Sequence, residues 1–211
     1  MLTRRLPKLT PWLNQSTLLT LVWILMLIAG LVVTTGYDHR AGTAADAPRS
    51  WPQGASIEPN HDGSTIVMVA HPKCFCTRAS IAELALIMAH SNGQAKAIVL
   101  FIRPVGFDPD WERTDIWRSA TAIPGVTAIS DPDGKEASMF GAATSGQMYI
   151  YDKAGRLVFD GGITESRGHE GENANLDAAL SAVHGQDSLL STTAVYGCPL
   201  RSPHDKQVSR K

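Results

Sequence analysis

Ile66-Val67-Met68-Val69-Ala70-His71-Pro72-Lys73-Cys74-Phe75-Cys76 begins as a buried strand and ends where a helix starts. Five apolar residues in succession are of strand length, and a strand apolar at every position is one covered on both faces. Over residues 78–91 the period changes, and Ile81, Leu84, Ala85 and Met88 fall on one helical face. Thr77 or Ser80 is placed to cap that helix, and Ser80 with Glu83 has the spacing of a capping box. Cys74 and Cys76 thus stand at a strand-to-helix junction.

Downstream, residues 97–102 read as a second buried strand, 111–119 as a helix and 126–130 as a third short strand. A short helix is expected at 136–140. Residues 148–151 and 157–159 then flank Asp152-Lys-Ala-Gly-Arg156, a glycine-containing turn of hairpin type. Residues 175–183 close the pattern as a helix with Leu176, Leu180 and Val183 inward. This order predicts an α/β domain over 64–186, with a mixed sheet and helices on both faces. Residues 187–211 are expected to form a tail carrying Cys198, disordered over 201–211.

Upstream, residues 17–36 are apolar apart from a few threonines, and about twenty helical residues cross a hydrocarbon core of roughly 30 Å. Arg4, Arg5 and Lys8 precede this segment without an acidic residue, which leaves residues 1–16 in the cytoplasm and sends the rest across. A cleaved signal peptide is the competing reading, with small residues at 41–47, but that site lies well past the apolar run. Both readings deliver the domain to an oxidising compartment. Residues 37–63, rich in Ala, Gly, Pro, Asp and Ser, read as an extended linker.

The chain has 211 residues, 44% of them hydrophobic, and a net charge of -1, so one sizeable core is available and no basic stripe for nucleic acid exists. Three cysteines are too few for a disulfide scaffold, and two of them one residue apart point to chemistry. The reactive form of cysteine is the thiolate, which a helix N-terminus stabilises through its unsatisfied N–H groups. Lys73 and Arg78 add positive charge on either side, and His71 is a candidate general base or metal ligand. Neither a peroxidatic Pro-x-x-x-Thr-x-x-Cys pattern around Pro72, nor a Gly-x-Ser-x-Gly elbow, nor a phosphate-binding Gly-x-x-x-x-Gly-Lys loop occurs.

The strand, the His71-Pro-Lys-Cys74-Phe-Cys76 turn and the helix, followed by Gly141 through Phe159, resemble the thioredoxin superfamily, in particular membrane-anchored TlpA- and ResA-type proteins. The resemblance covers residues 64–183 and implies a thioredoxin-like mixed sheet. His71-Pro-x-Cys-x-Cys, Gly161-Gly-Ile-Thr, Gly168-His-Glu-Gly-Glu-Asn173 and Tyr196-Gly-Cys-Pro-Leu200 also resemble the RedB group. The superfamily's spacing is Cys-x-x-Cys; with only Phe75 intervening, a disulfide would close a small ring away from the relaxed dihedral range, hence more easily reduced. Thr144-Ser145-Gly146 stands where the superfamily carries a cis-proline.

The resemblance implies a thiol–disulfide oxidoreductase of the periplasmic side of the inner membrane, held there by one helix, with protein thiols as partners. Cys74, the more exposed by analogy, would attack, and Cys76 would resolve. The loop 161–173 would approach Cys74, making His169 a supporting residue or ligand. Cys198 reads as a resolving thiol, a third soft ligand or a thiol pairing between chains. No cofactor is needed for dithiol chemistry; the alternative is a Cu(I) carrier of the Sco type using Cys74, Cys76 and one of His71, His169 or Cys198.

Overall fold

The computed structural model describes residues 15–43, 46–186 and 190–200; residues 1–14 of the expected cytoplasmic segment and the expected disordered stretch 201–211 lie outside them. The chain divides into two units, Met1–Tyr37 and Asp38–Lys211. The first is helical. Helix α1 (Gln15–Asp38) has 24 residues, about 36 Å at the α-helical rise, and is long and apolar enough to cross a membrane.

The second unit holds strands β1 (Ser64–Ala70), β2 (Ala95–Arg103), β3 (Val126–Pro132), β4 (Gln147–Tyr151) and β5 (Leu157–Gly161), and helices α2 (Phe75–His90), α3 (Asp115–Thr121), α4 (Lys135–Met139) and α5 (Ala174–Val183). The sheet order is β3-β2-β1-β4-β5. β1 lies parallel to β2 and antiparallel to β4, so it is the central strand, fully covered from Ile66 to Ala70. Its side chains alternate between two cores, as the pleat requires. Ile66, Met68 and Ala70 pack with α2, α3 and α5; Val67 and Val69 pack with Phe140, Tyr149 and Tyr151 on the face that α4 covers. This is the thioredoxin-like mixed sheet with helices on both faces.

The helix expected at 111–119 begins only at Asp115, because Asp110 and Trp111 belong to turns: Trp111 N–H donates to Asp108 O at 3.0 Å. Larger differences concern the segments expected as linker and tail. Leu157 N–H donates to Arg49 O and Trp51 N–H to Gly155 O, while Asp160 N–H donates to Ser191 O. Segments on both sides of the domain therefore occupy the outer edge of β5, whose open backbone groups would otherwise face solvent. Trp51 lies edge-on to Phe140 and Tyr151, Tyr151 donates its hydroxyl hydrogen to Pro48 O at 3.0 Å, and Ile57 is buried. Residues 46–57 are thus a strap on the second core.

Candidate functional site: a cluster of three cysteines

Cys74 is the N-cap residue of α2, with φ -88° and ψ 118°, and the helix proper starts at Phe75. It starts earlier than the apolar period indicated because its first turn is buried by polar residues. Thr77 and Ser80 are covered, and Ser80 donates to Cys76 O at 3.5 Å from inside the helix. Glu83 is no capping partner: its Oε1 accepts from Gly171 N–H at 2.5 Å. Phe75 is 67% exposed, and Gly168 lies against its ring, where a Cβ would come within 2.6 Å.

The third cysteine arrives on the segment expected as a tail. Ser145 N–H donates to Cys198 O at 2.8 Å, Leu200 N–H donates to Ala143 O at 3.0 Å, and Thr144 and Pro199 form an antiparallel bridge. Leu200 is buried in the second core. Gly197 passes so close to this loop that a Cβ there would lie 1.9 Å from Ser145 O. The Sγ atoms of Cys74, Cys76 and Cys198 all lie within 4.8 Å of one another. Cys74 and Cys76 are each 3% exposed, so neither is the more accessible of the pair; Cys198 is half-buried.

Thr144-Ser145-Gly146 frames the cluster from the turn before β4, with no cis peptide bond among the described residues. Ser145 Oγ accepts from His71 N–H at 2.7 Å and shares a hydrogen bond of 2.6 Å with Thr77 Oγ1. The strand end, the helix start and the cysteine-bearing segment therefore all meet at Ser145.

The three thiols are electrostatically unequal. Burial alone would raise the Cys74 thiol, but hydrogen-bonding groups of Thr77 and Cys198 outweigh it and hold that thiol below its ordinary value. Burial and the neighbouring Cys74 charge raise Cys76, opposed by the Arg167 guanidinium. Cys198 is pushed up to about 12, first by burial and then by its bond and charge interaction with Cys74. Cys74 is therefore the thiol of the three that ionises most readily, and the other two are both held above their ordinary range.

The cations expected at the site are elsewhere. Lys73 places its ammonium 4.6 Å from the centre of the Trp111 ring, and Arg78 pairs with Asp115. Their role falls to Arg167, which sequence reasoning passed over within the loop expected to approach Cys74. Its Nη1 donates to Gly197 O at 2.6 Å and its Nη2 to Arg40 O at 3.1 Å. An arginine six residues past the last strand, in a glycine-rich loop, was the available signal.

Neither histidine belongs to the sulfur group. His71 packs edge-on to Trp111, its Nδ1 accepts from Lys73 N–H at 3.2 Å, and burial followed by the Lys73 charge lowers its pKa. His169 faces Glu83, whose carboxyl is raised by burial against the opposing pull of the Gly171 amide and the His169 charge.

Fold and cluster together define a thioredoxin-like protein with a cysteine pair at its first strand-to-helix junction. No protein-family model and no curated protein matches the chain. A hypothetical protein from Sinorhizobium meliloti superimposes with a TM-score of 0.60 at 18% identity, covering 75% of this chain and 97% of that one. An uncharacterized conserved protein from Geobacillus kaustophilus gives 0.52 at 16%, covering 78% and 94%. A secreted Mycobacterium tuberculosis disulfide oxidoreductase gives 0.42 at 12%, covering 59% and 82%. At these identities the likeness is one of fold.

Proposed function

We propose that this protein is a membrane-anchored thiol–disulfide oxidoreductase of the extracytoplasmic side of the inner membrane, with protein thiols and disulfides as substrates. The observation that carries it is a lowered Cys74 thiol within 4.8 Å of two further sulfurs. Kinship with TlpA- and ResA-type proteins and with the RedB group is part of this reading, as are the cytoplasmic N-terminus and the anchoring by α1. The basic residues before the apolar segment support that orientation.

The Cys74 thiolate attacks one sulfur of a substrate disulfide, forming a mixed disulfide and releasing the other sulfur as a thiolate. Cys74 has then lost its charge, which removes one cause that keeps the neighbouring thiols protonated. Arg167 now favours a second thiolate. By resemblance this is Cys76, which attacks Cys74 Sγ and expels the remaining substrate sulfur; the Cys76 proton ends on the departing thiolate. The substrate gains two electrons and the protein is left with a disulfide. Cys74→Ser in the full chain is expected to reduce dithiothreitol-driven insulin reduction to background, and full activity in that variant would end the proposal.

The same three sulfurs favour a second reading, a Cu(I) carrier. Thiolates suit soft monovalent copper, and three sulfurs from two segments lie within 4.8 Å of one another. Anaerobic titration with Cu(I) against a bathocuproine competitor tests it. One ion per chain, lost in each Cys→Ser variant, is expected; none retained would remove this reading.

A further inference from the structure

Cys76 belongs to the first turn of α2, where Thr77 N–H donates to Cys74 O at 3.1 Å. A bond from Cys76 to Cys74 has to bend the chain about the single residue Phe75, between an extended N-cap and the first turn of the helix, although the two sulfurs are near one another. Cys198 carries no such constraint. It belongs to a separate segment that is laid antiparallel on Ala143 and Ser145, with backbone hydrogen bonds on both sides of the bridge between Thr144 and Pro199. Gly197 permits the close approach to Ser145 O, and Arg167 holds the Gly197 carbonyl at 2.6 Å. The segment is therefore built to deliver its sulfur, and Cys198 is also the less buried residue of the two partners near Cys74.

We infer that Cys198, rather than Cys76, is the resolving thiol, and that the disulfide of the oxidised protein joins Cys74 to Cys198. This rests on the oxidoreductase reading. After Cys74 has formed its mixed disulfide, Cys198 Sγ attacks Cys74 Sγ. The Cys74–Cys198 bond forms as the bond from Cys74 to the substrate sulfur breaks, and that sulfur leaves with the electron pair. The Cys198 proton passes to the leaving sulfur. Cys76 remains a thiol throughout. A dithiol donor restores the reduced pair by the reverse exchange.

The test uses the full chain in detergent micelles, reduced and then exposed to oxidised glutathione. Exchange is stopped with acid, and free thiols are then blocked with excess N-ethylmaleimide at near-neutral pH under denaturing conditions before peptide mapping. Cys74 joined to Cys198 with Cys76 alkylated is the expected result; Cys74 joined to Cys76 with Cys198 alkylated would overturn the inference while leaving the oxidoreductase reading intact. In Cys198→Ser the glutathione adduct at Cys74 should persist, its release slowed about tenfold or more by loss of a tethered thiol at high effective concentration. Cys76→Ser should release it at the parent rate, and the opposite pattern would also overturn the inference. A Cys74 that takes up no glutathione while Cys74→Ser shows the same map would instead end the oxidoreductase reading. Mapping of the unsubstituted chain decides the matter should Cys198→Ser not fold.

Discussion

Arg167 donates from Nη1 to the carbonyl oxygen of Gly197 at 2.6 Å, so the loop after the last strand is tied to the residue before Cys198. The same guanidinium opposes the upward shift of both Cys76 and Cys198. Arg167→Met is therefore expected to do two things: free the cysteine-bearing segment and slow release of a Cys74 mixed disulfide. The apparent pKa of that release should rise. Arg167→Lys keeps the charge without the fork of donors and should restore part of the rate. Stopped-flow release of glutathione against pH measures both, and an unchanged profile in Arg167→Met would count against an electrostatic role.

Alkylation rates should separate the three thiols. Cys74 is held below its ordinary value of 9.0, so its rate with iodoacetamide should level off before that pH. Cys76 is raised, so its rate should still be climbing there, and Cys198 should go on climbing towards about 12. Mass spectrometry with isotope-coded reagent reads each site, with fragment ions to separate Cys74 from Cys76 across Phe75. A Cys74 profile that rises beyond the ordinary thiol range would contradict the lowered Cys74 thiol.

Gly197→Ala adds a methyl group 1.9 Å from Ser145 O, a backbone atom that cannot step aside alone. The segment must move, at a cost of roughly 1–3 kcal/mol. A lower Tm and faster alkylation of Cys198 are expected, with Cys74 still alkylated.

Trp51→Ala tests whether residues 46–57 belong to the fold. Trp51 contacts Phe140 and Tyr151 at ring-centroid distances of 5.3 and 5.2 Å. A half-buried tryptophan lost from such a contact should destabilise the domain by about 2 kcal/mol, somewhat less than a fully buried one. Denaturant unfolding of the full chain in micelles shows it; an unchanged midpoint would make the strap dispensable.

The elements with a clean period were legible. β1 is apolar at successive positions because both faces are covered, the β4–β5 hairpin is marked by Asp152 and Gly155, and α5 shows its inward face at Leu176 and Val183. The two edge segments were not, because an irregular strap has no period: Ile57 is buried and Trp51 half-buried by local geometry, and Arg49 takes part through its carbonyl. At the site, the position of Cys74 and Cys76 followed from strand, turn and helix. Cys198 did not, since its placement depends on pairing with Ala143 and Ser145 across the chain. Lys73 and Arg78 misled for a related reason. Nearness in sequence said nothing of Trp111 and Asp115, which draw their charges away from the sulfurs.

The central claim, a redox site centred on the Cys74 thiol, is tested most directly by equilibrating the full chain in glutathione buffers of graded potential and counting free thiols under denaturing quench. Loss of two thiols per chain in one step, abolished by Cys74→Ser, is the expected result. Three thiols surviving across the whole range, while the unfolded chain oxidises in the same buffers, would contradict it.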